Sequence, residues 1–370
     1  MILAHDIAIN GDNAVALAWK QIDPDVCAAY PITPQTIIVE KFAEYVANGE
    51  VTTEFVCVES EHSALTLCTA SESAGARTFT ATASQGLAYM WEMLPITAAM
   101  RTPLVMAVAN RAVSGPININ NDHGDAMSAR DCGWVMLFSE NVQEAYDNSI
   151  IAPRIAEHPE VQLPIMVNLD GFILTHAIER MSVIETADVK KFVGEFEPIY
   201  PLLDVKHPVS HGNMDGPDFY YPHKYQSVLA MEKALEVAEE VFAEFKELTG
   251  REYHLVDQYM CDDADIIVVA FGASSRVSRS AVDKARADGI KVGLIRPITL
   301  WPFPEKILKK HVDHAKVFLD VEMNMGQMID DVKLAIDCKR PVEFYGRTGG
   351  MIPTTKEVYE KIVSINGGIQ

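Results

Sequence analysis

The chain has 370 residues, 48% hydrophobic and 22% charged, and its 52 acidic and 31 basic side chains leave a formal net charge of −21. This length exceeds one ordinary hydrophobic core and predicts two domains of soluble globular composition. Surplus negative charge argues against nucleic-acid binding, and no apolar run is long enough to span a bilayer. The amino terminus lacks a basic segment followed by a long apolar one, so a cytoplasmic protein without a signal peptide is expected.

In chain order, Gly11-Asp12-Asn13 opens a helical run over Ala14–Gln21, with Asp12 or Asn13 as its cap. Val26–Ala29 reads as a short strand running into Tyr30-Pro31-Ile32-Thr33-Pro34. Pro31 removes a backbone donor and ends that strand. Pro34 suits the first position of a helix over Pro34–Ala47, which makes Thr33 its expected N-cap. A Thr hydroxyl beside the free N–H groups of a helix start also suits a small anion. Strand Thr53–Val58 leads into Glu59-Ser60-Glu61-His62, where Ser60 caps a helix that Gly75 stops. Arg77–Ala83 reads as a strand that breaks at Ser84-Gln85-Gly86, opening a helix over Leu87–Met100 kinked before Pro95. Pro103–Ala109 is a buried strand ending at Asn110-Arg111. The segment Gly115–Asp125, rich in Gly and Asn, is a loop. Trp134–Phe138 and Pro164–Leu169 are strands on either side of a helix over Gln143–Glu157, the second ending at Asp170-Gly171. Short apolar runs alternating with helices imply an α/β fold with a parallel sheet covered on both faces.

From about Tyr200 to Tyr225 the pattern fails. Prolines, histidines and aromatics mark a connector packed over a surface, unlike a flexible tether. A long charged helix over Val228–Leu248 follows. A second α/β unit contains strands Asp265–Phe271, Val292–Ile295, Val317–Val321 and Val342–Tyr345, with helices Arg276–Asp288 and Met325–Asp337. The expected organisation is a first parallel-sheet domain over 1–199, a connector with its long helix over 200–250, and a second parallel-sheet domain over 251–370.

In an open parallel sheet, ligands bind beyond the carboxyl ends of the strands. Tyr30-Pro31-Ile32-Thr33, Glu59-Ser60-Glu61, Ser84-Gln85-Gly86, Asn110-Arg111 and Asp170-Gly171 each follow a strand and should line one edge. Glu61 in a first helical turn suits the helix dipole, but a carboxylate there can also hold a proton against a heterocyclic nitrogen; Glu59 competes for that role. Arg111 either pairs with Asp122 or Asp125 or clamps a small carboxylate. Asp122, His123 and Asp125 offer acid–base groups that could line a site, although loop Asp and His more often satisfy local turns, and no metal site is assigned. Gly272-Ala273-Ser274-Ser275 could cradle phosphate, without a Walker or three-glycine pattern. The six cysteines lie far apart with no C-x-x-C, so no cluster of ferredoxin spacing is expected; Cys27, Cys57 and Cys68 read as buried free thiols.

Taken together, Tyr30-Pro31-Ile32-Thr33-Pro34, Glu59-Ser60-Glu61, Thr82-Ala83-Ser84-Gln85-Gly86, Asn110-Arg111-Ala112 and Asn121-Asp122-His123-Gly124-Asp125 resemble 2-oxoacid:ferredoxin oxidoreductases. The nearest likeness is to the alpha subunit of the multi-subunit pyruvate type. In the second half, Arg296-Pro297-Ile298-Thr299-Leu300-Trp301-Pro302 and Val321-Glu322-Met323-Asn324-Met325-Gly326-Gln327 extend it over nearly the whole chain. The resemblance implies a thiamine diphosphate pyrimidine-binding-like domain and a transketolase C-terminal-like domain. It implies that Glu61 hydrogen-bonds N1′ of the aminopyrimidine, that Tyr30, Pro31, Ile32, Ser84 and Gln85 line the cofactor, and that Thr33 and Arg111 hold the pyruvate carboxylate. It also implies a beta subunit that supplies the diphosphate and Mg2+ half-site with a 4Fe–4S cluster, a division with which the lack of a Gly-Asp-Gly with a downstream Asn here agrees. Gamma and delta (ferredoxin-like) subunits would carry further clusters, with CoA accepting the acyl group and ferredoxin the electrons. A small, neutral Thr33 argues against a substrate with two carboxylates such as oxalate. The run Gly115-Pro116-Ile117-Asn118-Ile119 is more like pyruvate and branched-chain enzymes than the 2-oxoglutarate type. The alternatives are those other 2-oxo acids, or a non-catalytic scaffold subunit.

Overall fold

Runs such as Val105–Asn110 and Ile165–Asp170 are buried at every position, which requires a sheet covered on both faces. The computed structural model describes residues 3–113 and 115–369. In chain order its strands are β1 (Leu3–Asn10), β2 (Val26–Ala29), β3 (Glu54–Cys57), β4 (Thr78–Thr82), β5 (Val105–Asn110), β6 (Val135–Ser139), β7 (Ile165–Asp170), β8 (Ile178–Ile184), β9 (Val256–Tyr259), β10 (Ile266–Ala270), β11 (Val292–Pro297), β12 (Thr299–Trp301), β13 (Val317–Glu322) and β14 (Val342–Gly346).

The first sheet has the order β12-β6-β7-β5-β4-β2-β3, parallel apart from β12, which runs antiparallel to β6. Phe79 lies opposite Val105 and Val105 opposite Ile165, so the strand ends that carry Ser84, Arg111 and Asp170 come out at one edge. The second sheet has the order β14-β13-β10-β11-β9, with β9 antiparallel. β12 belongs in sequence to the second half yet completes the first sheet. One continuous apolar core accordingly runs from Trp19 and Phe79 through Phe138 to Phe271 and Phe318. A satellite cluster including Val268, Leu319, Val358 and Ile362 lies under the last helix, Thr355–Ile369. No helix among the described residues is long and apolar enough to cross a membrane. The parallel-dominated α/β architecture matches the sequence expectation.

Several local expectations change. The first helix is Gly11–Ile22, and its cap is Asn10, whose side chain accepts from the Asn13 N–H at 2.9 Å. The single helix expected before Met100 is two, Ser84–Tyr89 and Met93–Ala99, with Pro95 in the first turn of the second, where a missing N–H costs nothing. The long helix spans Pro217–Thr249 and absorbs the end of the connector: Pro217 sits at its start, and Pro222 falls early enough that little of the hydrogen-bond ladder is lost. Cys57, at the last position of β3, is exposed, whereas Cys27 and Cys68 are buried. β1 and β8, which had no strand signal, pair antiparallel with each other, Ile7 opposite Met181.

Candidate active site

The Pro-bracketed turn does not cap its helix through Thr33. The helix begins at Thr36, and Gln35 already has helical backbone angles (φ −69°, ψ −18°). Gln35 holds the turn instead. It is fully buried, accepts from the Ile32 N–H at 3.1 Å and donates to the Ala81 carbonyl at 2.6 Å, tying the turn to β4. Thr33, preceding a cis Pro34, stays exposed, and its carbonyl accepts a hydrogen bond from Arg111 Nη1 at 2.8 Å. Tyr30 and Pro31 are exposed beside it, and Ile32 is half-buried.

Ser60 caps the helix Glu61–Ala74 as expected, accepting from the Ser63 N–H at 3.1 Å. Glu59 and Glu61 are separated by environment. Glu59 is exposed and accepts from the Ser63 hydroxyl at 2.7 Å, which holds its carboxyl below the usual range. Glu61 is buried, and among the described residues nothing donates to its carboxylate. Gly86 borders it: a Cβ there would lie 2.8 Å from Glu61 Oε1 and 2.5 Å from Thr82 Oγ1. Thr82 Oγ1 is itself buried without a hydrogen-bond partner among the described residues. A buried carboxylate with an open lone pair, beside a second unpartnered oxygen and a cradle that a methyl would fill, fits a ligand presenting a protonated ring nitrogen. These are the features that an aminopyrimidine requires.

Ser84, at positive φ (49°), opens the next helix. Its N–H donates to Asp125 Oδ2 at 3.0 Å and its hydroxyl to the Ala112 carbonyl at 2.6 Å, with the half-buried Gln85 accepting from it as well. Asp125 also accepts from the Arg111 N–H at 2.9 Å, Asn110 Nδ2 at 3.1 Å and the Ala126 N–H at 2.7 Å. Burial pushes Asp125 up to about 6, against the pull of those donors. Asp125 therefore binds the ends of β4 and β5 together.

Arg111 makes no ion pair with Asp122 or Asp125 among the described residues. Its side chain donates through Nη1 to Thr33 and through Nε to the Asn118 carbonyl at 3.3 Å, which leaves Nη2 without a described protein partner. Burial pulls its basicity below the usual value, with Asp125 opposing, but a guanidinium remains charged. A buried fork with an open N–H group, next to Thr33, is suited to a small carboxylate.

Asp122 and His123 are engaged by groups of the protein itself. Asp122 accepts from the Gly124 and Gly349 N–H groups at 2.8 and 3.1 Å. His123 is fully buried, stacked on Phe271 at 4.4 Å, with Nε2 2.5 Å from Asp170 Oδ1. Burial disfavours its imidazolium, but Asp170 with Asp125 and Asp122 outweighs this and raises its pKa. Asp170 further accepts from Asn121 Nδ2 at 2.8 Å and the Ala273 N–H at 2.5 Å. Ser275 Oγ donates to Glu140 at 2.7 Å. The turn 272–275 thus meets carboxylates of the first half of the chain, which corrects the phosphate-cradle reading: the helix start is already satisfied internally. Gln35 had no signal of its own in the sequence, while Thr82 and Asn118 stand in motifs of the resemblance without a role assigned to them.

Two family models account for most of the chain. Residues 17–243 match the family described as pyruvate flavodoxin/ferredoxin oxidoreductase, thiamine diphosphate-binding, and residues 264–358 match pyruvate:ferredoxin oxidoreductase core domain II. The pyruvate synthase subunit PorA of Thermotoga maritima is 50% identical over 322 residues, 86% of this chain and 82% of that protein. PorA of Pyrococcus furiosus is 42% identical over 363 residues, covering 96% and 92%. Among solved structures, a 2-oxoglutarate:ferredoxin oxidoreductase from Magnetococcus marinus superposes with a TM-score of 0.75 at 20% identity, over 99% of this chain and 65% of that longer one. A split-gene transketolase superposes at 0.58 with 11% identity, covering 97% and 98%. These two likenesses speak for the fold. The family models and the PorA relatives place the chain in the 2-oxoacid:ferredoxin oxidoreductase family, as an alpha subunit of the PorA type.

Proposed function

We propose that the chain is the alpha subunit of a complex that converts pyruvate and CoA to acetyl-CoA and carbon dioxide and delivers two electrons to ferredoxin, reversibly. The observation that carries this reading is that one sheet edge presents both the buried Glu61 carboxylate, to which nothing among the described residues donates, and the Arg111–Thr33 pair. Thiamine diphosphate, when bound, supplies the electron sink for decarboxylation. Glu61 holds a proton at N1′ of its aminopyrimidine, and Gly86 leaves the ring and that carboxylate room to approach. Tyr30, Pro31, Ile32, Ser84 and Gln85 border the same edge. Arg111 and Thr33 grip the substrate carboxylate. Because that group departs as carbon dioxide, the grip must orient it without over-stabilising the ground state, and an open Nη2 amino group on a guanidinium anchored by two backbone carbonyls meets that need.

This half-site lacks a diphosphate and Mg2+ motif, so a beta subunit completes it and carries a 4Fe–4S cluster, while gamma and delta subunits relay electrons. The pyruvate preference rests on the PorA relatives and on the small, neutral Thr33. Purifying the native complex and measuring thiamine, iron and turnover with a panel of 2-oxo acids tests the reading. Bound thiamine with pyruvate preferred over 2-oxoglutarate and branched-chain 2-oxo acids is expected; a complex without thiamine, or one turning over another 2-oxo acid best, would refute it.

A further inference from the structure

The loop after β5 and the glycine turn after β14 meet across the two halves of the chain. Asn118 Nδ2 donates to the Gly349 carbonyl at 2.9 Å. In return, the Gly349 N–H donates to Asp122 Oδ2 at 3.1 Å and the Gly350 N–H to the Asn121 carbonyl at 2.8 Å. Both glycines have positive φ, 58° and 86°. A Cβ on Gly349 would lie 2.6 Å from Asn118 Nδ2, and one on Gly350 2.4 Å from Asn120 Cβ. Conformation and closeness of approach therefore both demand glycine here.

The loop clasped by that turn is also the seat of Arg111. The Asn118 carbonyl accepts from Arg111 Nε, the Asn120 carbonyl accepts from the Ala112 N–H at 3.1 Å, and Asn118 Oδ1 accepts from the Asn120 N–H at 2.9 Å. The guanidinium thus rests on one carbonyl of its own edge, Thr33, and on one carbonyl of a loop held from the far side. We propose that the Gly349-Gly350 turn, acting through Asn118, sets the position of the Arg111 guanidinium, so that the second half of the chain governs 2-oxo acid affinity at a site made of first-half strand ends. Asn118 and Gly350 are positioning residues: neither reaches the substrate, and their effect runs through the Nε contact. The inference rests on the reading of Arg111 as the carboxylate clamp.

The test compares Asn118→Ala, Gly350→Ala and Arg111→Ala in the assembled complex, reading KM for pyruvate, kcat at saturation and the calorimetric Kd for thiamine diphosphate. Since small misplacements of an orienting group are costly, both loop variants should raise KM by about tenfold while kcat and cofactor Kd stay within about twofold. Asn118→Ala leaves the glycine backbone intact, so it keeps the test open if Gly350→Ala fails to fold. If Arg111→Ala raises KM and the loop variants do not, the coupling is refuted and the clamp stands. If Arg111→Ala leaves KM unchanged, the clamp itself is refuted. Loop variants that lose KM, kcat and cofactor affinity in parallel have a general lesion, and that overturns positioning.

Discussion

A methyl group at residue 86 would lie 2.5 Å from Thr82 Oγ1 and 2.8 Å from Glu61 Oε1, closer than a Cβ tolerates. Gly86 lies in the short helix Ser84–Tyr89, where alanine is the better helix former by about 1 kcal/mol. Gly86→Ala therefore separates packing at the site from stability of the helix. It should lower turnover at least tenfold, on the order of the cost of misplacing a catalytic group, with the unfolding midpoint little changed. An active variant would mean that Glu61 has slack that the fold does not display. Single residues were unevenly legible. Arg111 stands out as a charged residue directly after an apolar run, whereas Glu61 is separated from Glu59 only by the family resemblance. Thr33 reads as a helix cap because Pro34 resembles a helix start, whereas a buried amide two positions on, Gln35, holds the turn from another strand. No local pattern announces such a long-range bond.

At the level of elements, Asp125 ties β4, β5 and the short helix Gly124–Ser128 through bonds from Ser84, Arg111, Asn110 and Ala126. Burial lifts its pKa from the usual 3.8 to about 6, so the folded state holds the proton more tightly than the unfolded one. Its ionisation opposes folding: its contribution to stability is complete below about pH 4 and is lost as pH rises to about 6. Wild type should accordingly lose stability relative to Asp125→Asn as pH rises across that window, measured by urea unfolding at several pH values. A pH-independent difference would contradict the shift. The clustering of strand ends was legible because a parallel sheet forces it. β1 and β8 were not, since each gains its regularity only from a partner about 170 residues away. The sequence understates the long helix because Pro217 and Pro222 look like breakers, although Pro217 suits a helix start and Pro222, inside the helix, costs only local hydrogen bonding near its beginning.

Across the whole chain, the fully buried His123 and its neighbour Asp170 join the two halves, Asp170 also receiving the Ala273 N–H at the start of the helix Ala273–Ala287. Asp170→Ala would leave the buried His123 Nε2 and the Ala273 N–H without their acceptor, and should destabilise the protein by about 1–3 kcal/mol for each orphaned group in urea unfolding. An unchanged midpoint would mean that the halves are held by apolar packing alone. From sequence, the turn Gly272-Ala273-Ser274-Ser275 reads only as a segment that could cradle phosphate. Its anion proved to be internal, a pairing of distant residues that spacing cannot reveal. The central claim, that this chain brings the acid–base carboxylate of a shared thiamine site, is tested most directly by Glu61→Gln in the assembled complex, read as pyruvate-dependent ferredoxin reduction alongside subunit composition. Removal of one proton-transfer group predicts a fall of about 10²–10⁴-fold with assembly intact. Undiminished ferredoxin reduction by that variant would contradict it.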